Sequence, residues 1–416
     1  MIFLALKYLI ERKRQTILTL LGVFFGTVAY VSVSGFFLGF QGFMVEQLVN
    51  NSAMIHIQAR EDYLAEHELD LGFYSTLFSH VFWRAPPARA VGYLEVQDPQ
   101  GWYDRLAADP RVIAFSPIIT APVLYKLGPI TWSANLIGCD PVAEAKVINI
   151  AYFMEEGSFS DIAAGGNRII LGDEIMKRLG AGMNQIVQVS SGSGTPAPFQ
   201  VIGHFSTGNR GMDLMSYGNL NDAQRINGTP NRVTEISVKI NDYTQAHAMA
   251  KNWSMSAPEL IESWDMQNQN ILSVFAIQTA LRFLMIIAIL VVAGFGIYNV
   301  LNMTVTQKRQ DIAILRSMGY DAFDVVMLFF SQGLIVGICG AFFGMIVGYL
   351  VCRYLQTLSF MHVSPTNPTG HLHILLSISI YIQAFFMAIF SASIASILPA
   401  RAAGKLTPID IIREGG

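Results

Sequence analysis

Apolar and polar residues fall in long blocks along this chain. Four stretches, 16–40, 283–307, 325–352 and 374–398, contain no Asp, Glu, Lys or Arg. Each reaches or exceeds the ~20 residues that carry a helix across ~30 Å of hydrocarbon. The pattern predicts transmembrane helices at 16–41, 273–306, 321–353 and 374–399. Between the first two the pattern shortens. Segments 54–58 (MIHIQ), 168–171 (RIIL), 185–189 (QIVQV), 199–202 (FQVI) and 234–240 (TEISVKI) have the alternation or composition of strands. Segments 100–108, 173–179 and 242–251 read as helices, and 191–196 (SGSGTP) as a turn between strands. The fold class is therefore an α-helical membrane protein of four transmembrane helices, with a large α+β domain at 42–272 between helices 1 and 2. Segments 307–320 and 354–373 join the later spans, and 400–416 forms a tail.

Composition agrees, with 52% hydrophobic and only 14% charged residues, against roughly 25% charged in soluble domains. Basic residues set the orientation. Lys7, Arg12, Lys13 and Arg14 precede the first span, Lys308, Arg309 and Arg316 lie between the second and third, and Arg401, Lys405 and Arg413 follow the fourth. The positive-inside rule puts both termini and 307–320 in the cytoplasm. The 42–272 domain and 354–373 are then extracytoplasmic. Residues 42–281 carry 15 Lys+Arg against 24 Asp+Glu, a balance that excludes nucleic acid as a partner.

The first block is too long for the ~7–15-residue h-region of a cleaved signal peptide. Ahead of it, residues 1–15 predict an interfacial helix with Ile2, Phe3, Leu6, Leu9 and Ile10 on one face. A plain continuation of the first span is the other reading. Between spans two and three, 307–319 (QKRQDIAILRSMG) reads as a short amphipathic helix. Lys308, Arg309, Asp311 and Arg316 can face water and a partner, while Ile312, Ile314, Leu315 and Met318 supply an apolar face. Gly319 suits the position after a helix C-cap, and Asp321 the next N-cap with Asp324 at N3.

That run resembles the cytoplasmic coupling helix of the FtsX/MacB superfamily of ABC transporter permeases. Segment 398–413 (LPARAAGKLTPIDIIR) is similar to the superfamily's C-terminal signature, with Pro-Ala-Arg ending the last membrane helix. Ala402 stands where a second Arg is usual, and Thr407 where Asp is usual. Segments 137–141, 168–179 and 236–241 resemble landmarks of the MacB-like periplasmic core. Glu262-Ser263-Trp264 resembles lipoprotein-releasing (Lol-type) permeases in particular.

The resemblance implies a noncatalytic permease of the bacterial inner membrane, working by mechanotransmission on lipoprotein release. It implies a cytoplasmic ABC ATPase dimer that binds ATP and Mg, the chain itself holding no cofactor. A second permease copy or paralogue, a periplasmic lipoprotein chaperone or adaptor, and membrane lipid are the other expected partners. The coupling residues carried over are Lys308, Arg309, Asp311, Ile312, Leu315, Arg316, Met318 and Gly319. Phe36, Phe37, Phe40, Phe43, Phe275 and Phe283 are candidates to line a portal for acyl chains, aromatic interface anchors being the alternative. Two other readings stay open: a MacB- or DevC-like exporter of drugs, peptides or glycolipids with an adaptor, and an FtsX-like regulator of cell-wall hydrolases.

Other candidate chemistry is sparse. No stretch matches a G-x-x-x-x-G-K-[ST] phosphate loop. His362, His371 and His373 lie in or near the last outer loop without nearby carboxylates or thiols, and no metal site is expected. Cys139, Cys339 and Cys352 form no disulfide framework. Gly22 and Gly26, and Gly333, Gly337, Gly340, Gly344 and Gly348, fall at small-xxx-small spacing. They suit tight packing within one chain or a seam between permeases. Segment 74–82 (YSTLFSHVF) predicts an amphipathic helix.

Overall fold

The computed structural model describes residues 2–11, 13–60, 95–192, 194–359 and 370–406. The amphipathic helix expected at 74–82, His362 and 407–416 lie outside the described residues. Two compact units emerge, one built on the described residues up to Met44 and from Ser273 onward, the other on those within Val45–Leu272.

Helices α1 (Ile2–Glu11) and α2 (Lys13–Asn51) open the chain. The second unit continues with β1 (Ile55–Gln58), α3 (Pro99–Ala108), β2 (Val112–Leu127), β3 (Ile130–Cys139) and α4 (Pro141–Val147). Next come β4 (Met154–Glu156), β5 (Arg168–Gly172), α5 (Asp173–Leu179), β6 (Ile186–Ser190) and β7 (Ala197–Phe205). It closes with β8 (Met215–Asn219), α6 (Leu220–Asn227), β9 (Glu235–Ile240), α7 (Ala246–Ser254), β10 (Leu260–Ser263) and α8 (Trp264–Gln267).

Strand β2 organises this α+β unit. Its first half pairs antiparallel with β9, which extends through β1 to β10. Its second half pairs with both β3 and β6. From β3 the pairing runs through β8, β5 and β7, and β7 returns to β6. These six strands close on themselves, which leaves no open edge between them. Inside sit Ile119, Val123, Tyr125, Leu136, Val187, Phe199 and Val201, with Ile175 and Leu179 of α5 packed against them. Alternation explains the choice of residues, because every second side chain of a strand points to the same face. The β10-β1-β9 side is covered by α3 and α7, where Trp102, Leu106, Met249 and Trp253 bury Ile55, Ile57, Ile236 and Val238. Trp264 belongs to this core, and its Nε1 donates to the Tyr243 carbonyl at 3.1 Å.

A third cluster holds buried titratable groups. Glu144 of α4 is only 2% exposed. Its Oε2 has no hydrogen-bond partner among the described residues, and burial pushes its carboxyl up to about 7. His56 and Glu235 form an ion pair close by. Burial is the largest single influence on His56 and would lower it, but the Glu235 charge, the hydrogen bonds to Glu235 and to the Ala53 backbone, and the Glu144 charge together raise the imidazole.

The other unit contains α9 (Gln269–Gln307), α10 (Arg309–Ser317), α11 (Ala322–Leu355) and α12 (Ile378–Gly404). Helices α2, α9, α11 and α12 are long and apolar enough to cross a membrane. At 39 residues each, α2 and α9 are ~58 Å long by the helical rise, well beyond the hydrocarbon thickness. Hydropathy marks only the lipid-matched part of such a helix. Beyond it, Val45, Leu48 and Val49 of α2 pack on the core of the α+β unit.

The last helix departs from expectation at both ends. Residues 374–376, expected inside the fourth span, precede the N-cap Ser377, and the Leu375 N–H donates to the Gly35 carbonyl at 2.9 Å. At the other end the helix runs through Pro399 to Gly404 rather than stopping at Pro-Ala-Arg. Proline costs a helix one N–H and a steric conflict. In a bundle, packing accommodates that defect, and Pro399 is buried.

Helix α11 is closed on two sides by glycine. A Cβ built on Gly333 or Gly337 would lie 2.7 Å from Ser396 Cβ or 2.5 Å from Ala392 Cβ of α12. On Gly340, Gly344 and Gly348 it would meet Val23, Thr27 and Val31 of α2 at 2.8, 2.7 and 3.0 Å. The stripe is thus occupied within the chain itself. Gly22 differs, with nothing within 4 Å of such a Cβ.

Candidate functional site

The segment between the second and third spans is shaped by its caps. Helix α9 ends at Gln307, and α10 begins after Lys308. At the far end Gly319 adopts φ +97°, a left-handed conformation that costs a residue without Cβ little. The Gly319 N–H donates to the Arg316 carbonyl at 3.2 Å and the Tyr320 N–H to the Leu315 carbonyl at 3.2 Å. This pair of bonds is a Schellman motif. Asp321 then caps α11, its own N–H donating to the Asp324 carboxylate at 3.1 Å in a capping box. Two helix ends are thus fixed within five residues, with Asp311 in the first turn of α10 and Arg316 in its last, as the helix dipole favours.

Ile312, 1% exposed, anchors α10 among Ala5, Val305, Val325, Leu328, Phe329, Ala400 and Ala403; Leu315 packs at its edge. Lys308 is turned inward. Its Nζ lies 2.8 Å from Asp311 and 3.2 Å from Glu11, and 4.9 Å from the centre of the Tyr8 ring. Arg316 is half-buried, and its Nη1 donates to the Tyr320 carbonyl at 3.5 Å. Arg309 is half-buried as well. The charged side chains expected to face outward are therefore largely engaged on the chain's own surface.

What projects instead is apolar. Ile314 is 57% exposed, Met318 72%, and Phe323 of the first α11 turn 70%. The expectation that Ile312, Ile314, Leu315 and Met318 share one face is corrected: Ile312 and Leu315 point in, Ile314 and Met318 out. Helical spacing carried that signal, since positions two apart lie on opposite sides and positions four apart on one. Phe323 escaped notice because it falls beyond the capping turn.

The first helix packs on the chain through the side opposite its expected apolar face. Ala5 is fully buried, with Leu4 and Tyr8 packed beside it, while Phe3, Leu6 and Ile10 are exposed. Chain packing selects the 4-5-8 side and leaves the greasiest side outward, as suits a helix on a lipid surface.

The aromatic candidates divide. Phe36 and Phe40 of α2 stack at 6.4 Å between ring centroids, Phe37 lies 5.7 Å from Phe36, and Phe43 stacks on His373 at 4.1 Å. All four are half-buried. On α9 the Phe275 carbonyl accepts from Gln41 Nε2 at 3.5 Å, and Gln41 also donates to Gln278 at 3.2 Å. Phe283 is 60% exposed and joins none of these ring pairs.

Among the described residues no group of His, Cys, Asp or Glu converges as a metal site. His371 bridges to Ser359. All three cysteines are free, two of them buried.

Known proteins can now be set beside this arrangement. The MacB-like periplasmic core domain matches residues 16–253, and the FtsX-like permease C-terminal domain residues 283–408. The chain is 27% identical over 334 residues to the lipoprotein-releasing system transmembrane protein LolC of Xylella fastidiosa, covering 73% of this chain and 78% of that one. To LolE of Haemophilus influenzae it is 23% identical over 382 residues, covering 82% and 88%. A macrolide export ATP-binding/permease protein, MacB of a Shewanella species, is 26% identical over 149 residues, covering 36% of this chain and 21% of that one. A permease of this kind is the noncatalytic membrane component of an ABC transporter and works with an ATPase partner. With matches over both of its units, this multi-pass chain belongs to the FtsX/MacB family of ABC transporter permeases.

Proposed function

We propose that this permease drives the release of lipoproteins from the outer face of a bacterial inner membrane. The observation that carries the reading is similarity to lipoprotein-releasing transmembrane proteins over about three quarters or more of the chain; the MacB relative is matched over 36% of it. In this reading two cytoplasmic ATPases dock on α10 of paired permeases. Ile314, Met318 and Phe323 make the apolar contact, and Asp311 lies beside it. The load then passes along α9 and α2, each one unbroken helix.

Energetics supports the need for such a coupling. Each acyl CH₂ withdrawn from the bilayer costs about 0.8 kcal/mol, so a multiply acylated protein does not leave unaided. Phe36, Phe37, Phe40 and Phe43 offer the departing chains an aromatic rim on α2, with Phe275 and Phe283 on α9.

Depletion of the permease in spheroplasts tests the reading. Mature lipoproteins are expected to stay in the inner membrane, and release to need ATP and a soluble acceptor. Phe40→Asp is expected to block release while basal ATP hydrolysis persists. Normal lipoprotein sorting, with lost drug tolerance or a missing glycolipid instead, transfers the function to the exporter reading; a cell-wall hydrolysis defect alone transfers it to the regulator.

A further inference from the structure

Helix α1 roofs a groove that the coupling machinery does not use. Leu6 and Ile10 of α1, Ile17 and Leu20 of α2, and Ile335 and Cys339 of α11 line a cavity of about 300 Å³, with Lys13 beside them. That volume is at the lower bound of ligand-sized pockets. We propose that this groove binds one acyl chain of an anionic phospholipid of the cytoplasmic leaflet, with the lipid phosphate on Lys13.

Two features select this occupant. The walls are helices, whose backbone groups are already paired, so an extended peptide laid in the groove would bury unpaired amides. An acyl chain has no polar group to satisfy. Charge then selects the headgroup: Lys13 lines the groove, and Lys7 and Arg14 are exposed close to it in sequence. Basic residues at the cytoplasmic ends of membrane helices attract anionic lipid. Helix α1 is also tied to the coupling segment through Glu11 and Lys308. A filled groove therefore holds α1, and with it the start of α10, in place.

The leaflet named rests on the proposed placement of the N-terminus in the cytoplasm, whereas binding itself is measured in detergent without reference to topology. Full-length protein is delipidated and mixed with phosphatidylglycerol or phosphatidylcholine of equal chain length, and retained lipid is counted by native mass spectrometry. One phosphatidylglycerol is expected to stay bound, preferred about five-fold, the effect of about one lysine near an anionic headgroup. Lys13→Gln is expected to abolish the preference. Cys339→Trp and Leu20→Trp, each checked for folding by circular dichroism, are expected to expel the lipid, while Cys339→Ser keeps it. Equal retention of both lipids by the unaltered chain overturns the proposal, as does undiminished retention in a folded Trp variant. Labelling of a Ser317→Cys variant from outside sealed cells would instead overturn the orientation and leave the binding result standing.

Discussion

Lys308 Nζ lies 3.2 Å from the Glu11 carboxylate, joining the first helix of the chain to the N-cap of α10 across nearly three hundred positions of sequence. The same ammonium contacts Asp311 and the Tyr8 ring. Helices α10 and α1 are thus joined by a charged contact beside the apolar one that Ile312 makes with Ala5.

Lys308→Ala is expected to release α1 without unfolding the chain. Glu11 is well exposed, and pairs of that kind contribute at most about 1 kcal/mol. Hydrogen exchange should quicken over residues 2–11 and remain unchanged in the α+β unit. Unchanged exchange in α1 would show that Ala5 and its apolar neighbours hold the helix alone.

The inward and outward residues of α10 should separate cleanly. Ile312→Ala removes a side chain from a closed cluster and is expected to cost about 2–4 kcal/mol, seen as a lower midpoint in thermal denaturation. Ile314→Asp with Met318→Asp should leave that midpoint in place yet strip away a co-purifying ATPase. Retention of the ATPase by the double variant would remove the docking role from this face.

Charge-free blocks revealed the four membrane helices because a ~30 Å apolar solvent leaves no alternative pattern. The strands at 54–58 and 234–240 were readable from alternation. The 16-residue β2 was missed: Pro117 and Pro122 interrupt its composition, and its two halves pair with different strands, β9 in the first and β3 and β6 in the second. No local pattern encodes the closure of β6 on β2, since it depends on long-range pairing. At 307–319 the caps were legible in Gly319, Asp321 and Asp324, while the inward turn of Lys308 was not. Its partner Glu11 lies on another helix.

Glycine substitution should distinguish packed from open positions. Gly344→Val is expected to collapse expression of folded protein, because even a Cβ there meets the Thr27 Cβ at 2.7 Å. Gly22→Val, with nothing within 4 Å, should be tolerated. Detergent-resistant monodispersity by size-exclusion chromatography reads both, and equal behaviour of the two variants would mean that α2 and α11 can part without penalty.

Glu144 should make the α+β unit sensitive to pH. Its folded carboxyl is raised to about 7 from an ordinary 4.5, so between these values the folded state holds a proton that the unfolded state has lost. Stability is then greatest below the unfolded value, declines as pH rises through the folded one, and levels off above it. The full difference is roughly 3 kcal/mol. The partners have opposite signs: His56 is raised and contributes most at low pH, whereas Glu235 is lowered by its imidazole neighbour despite its burial and contributes most at high pH. Both remain in Glu144→Gln, so the difference between the two proteins reports Glu144 together with its coupling to that pair. All 5 tryptophans of the chain lie between residues 83 and 264, and their fluorescence in the intact permease follows this unit alone. Glu144→Gln is expected to match the unaltered chain near pH 4.5 and to unfold at higher temperature by pH 8. Parallel melting curves across that interval would mean that the carboxyl reaches water or a partner when ionised.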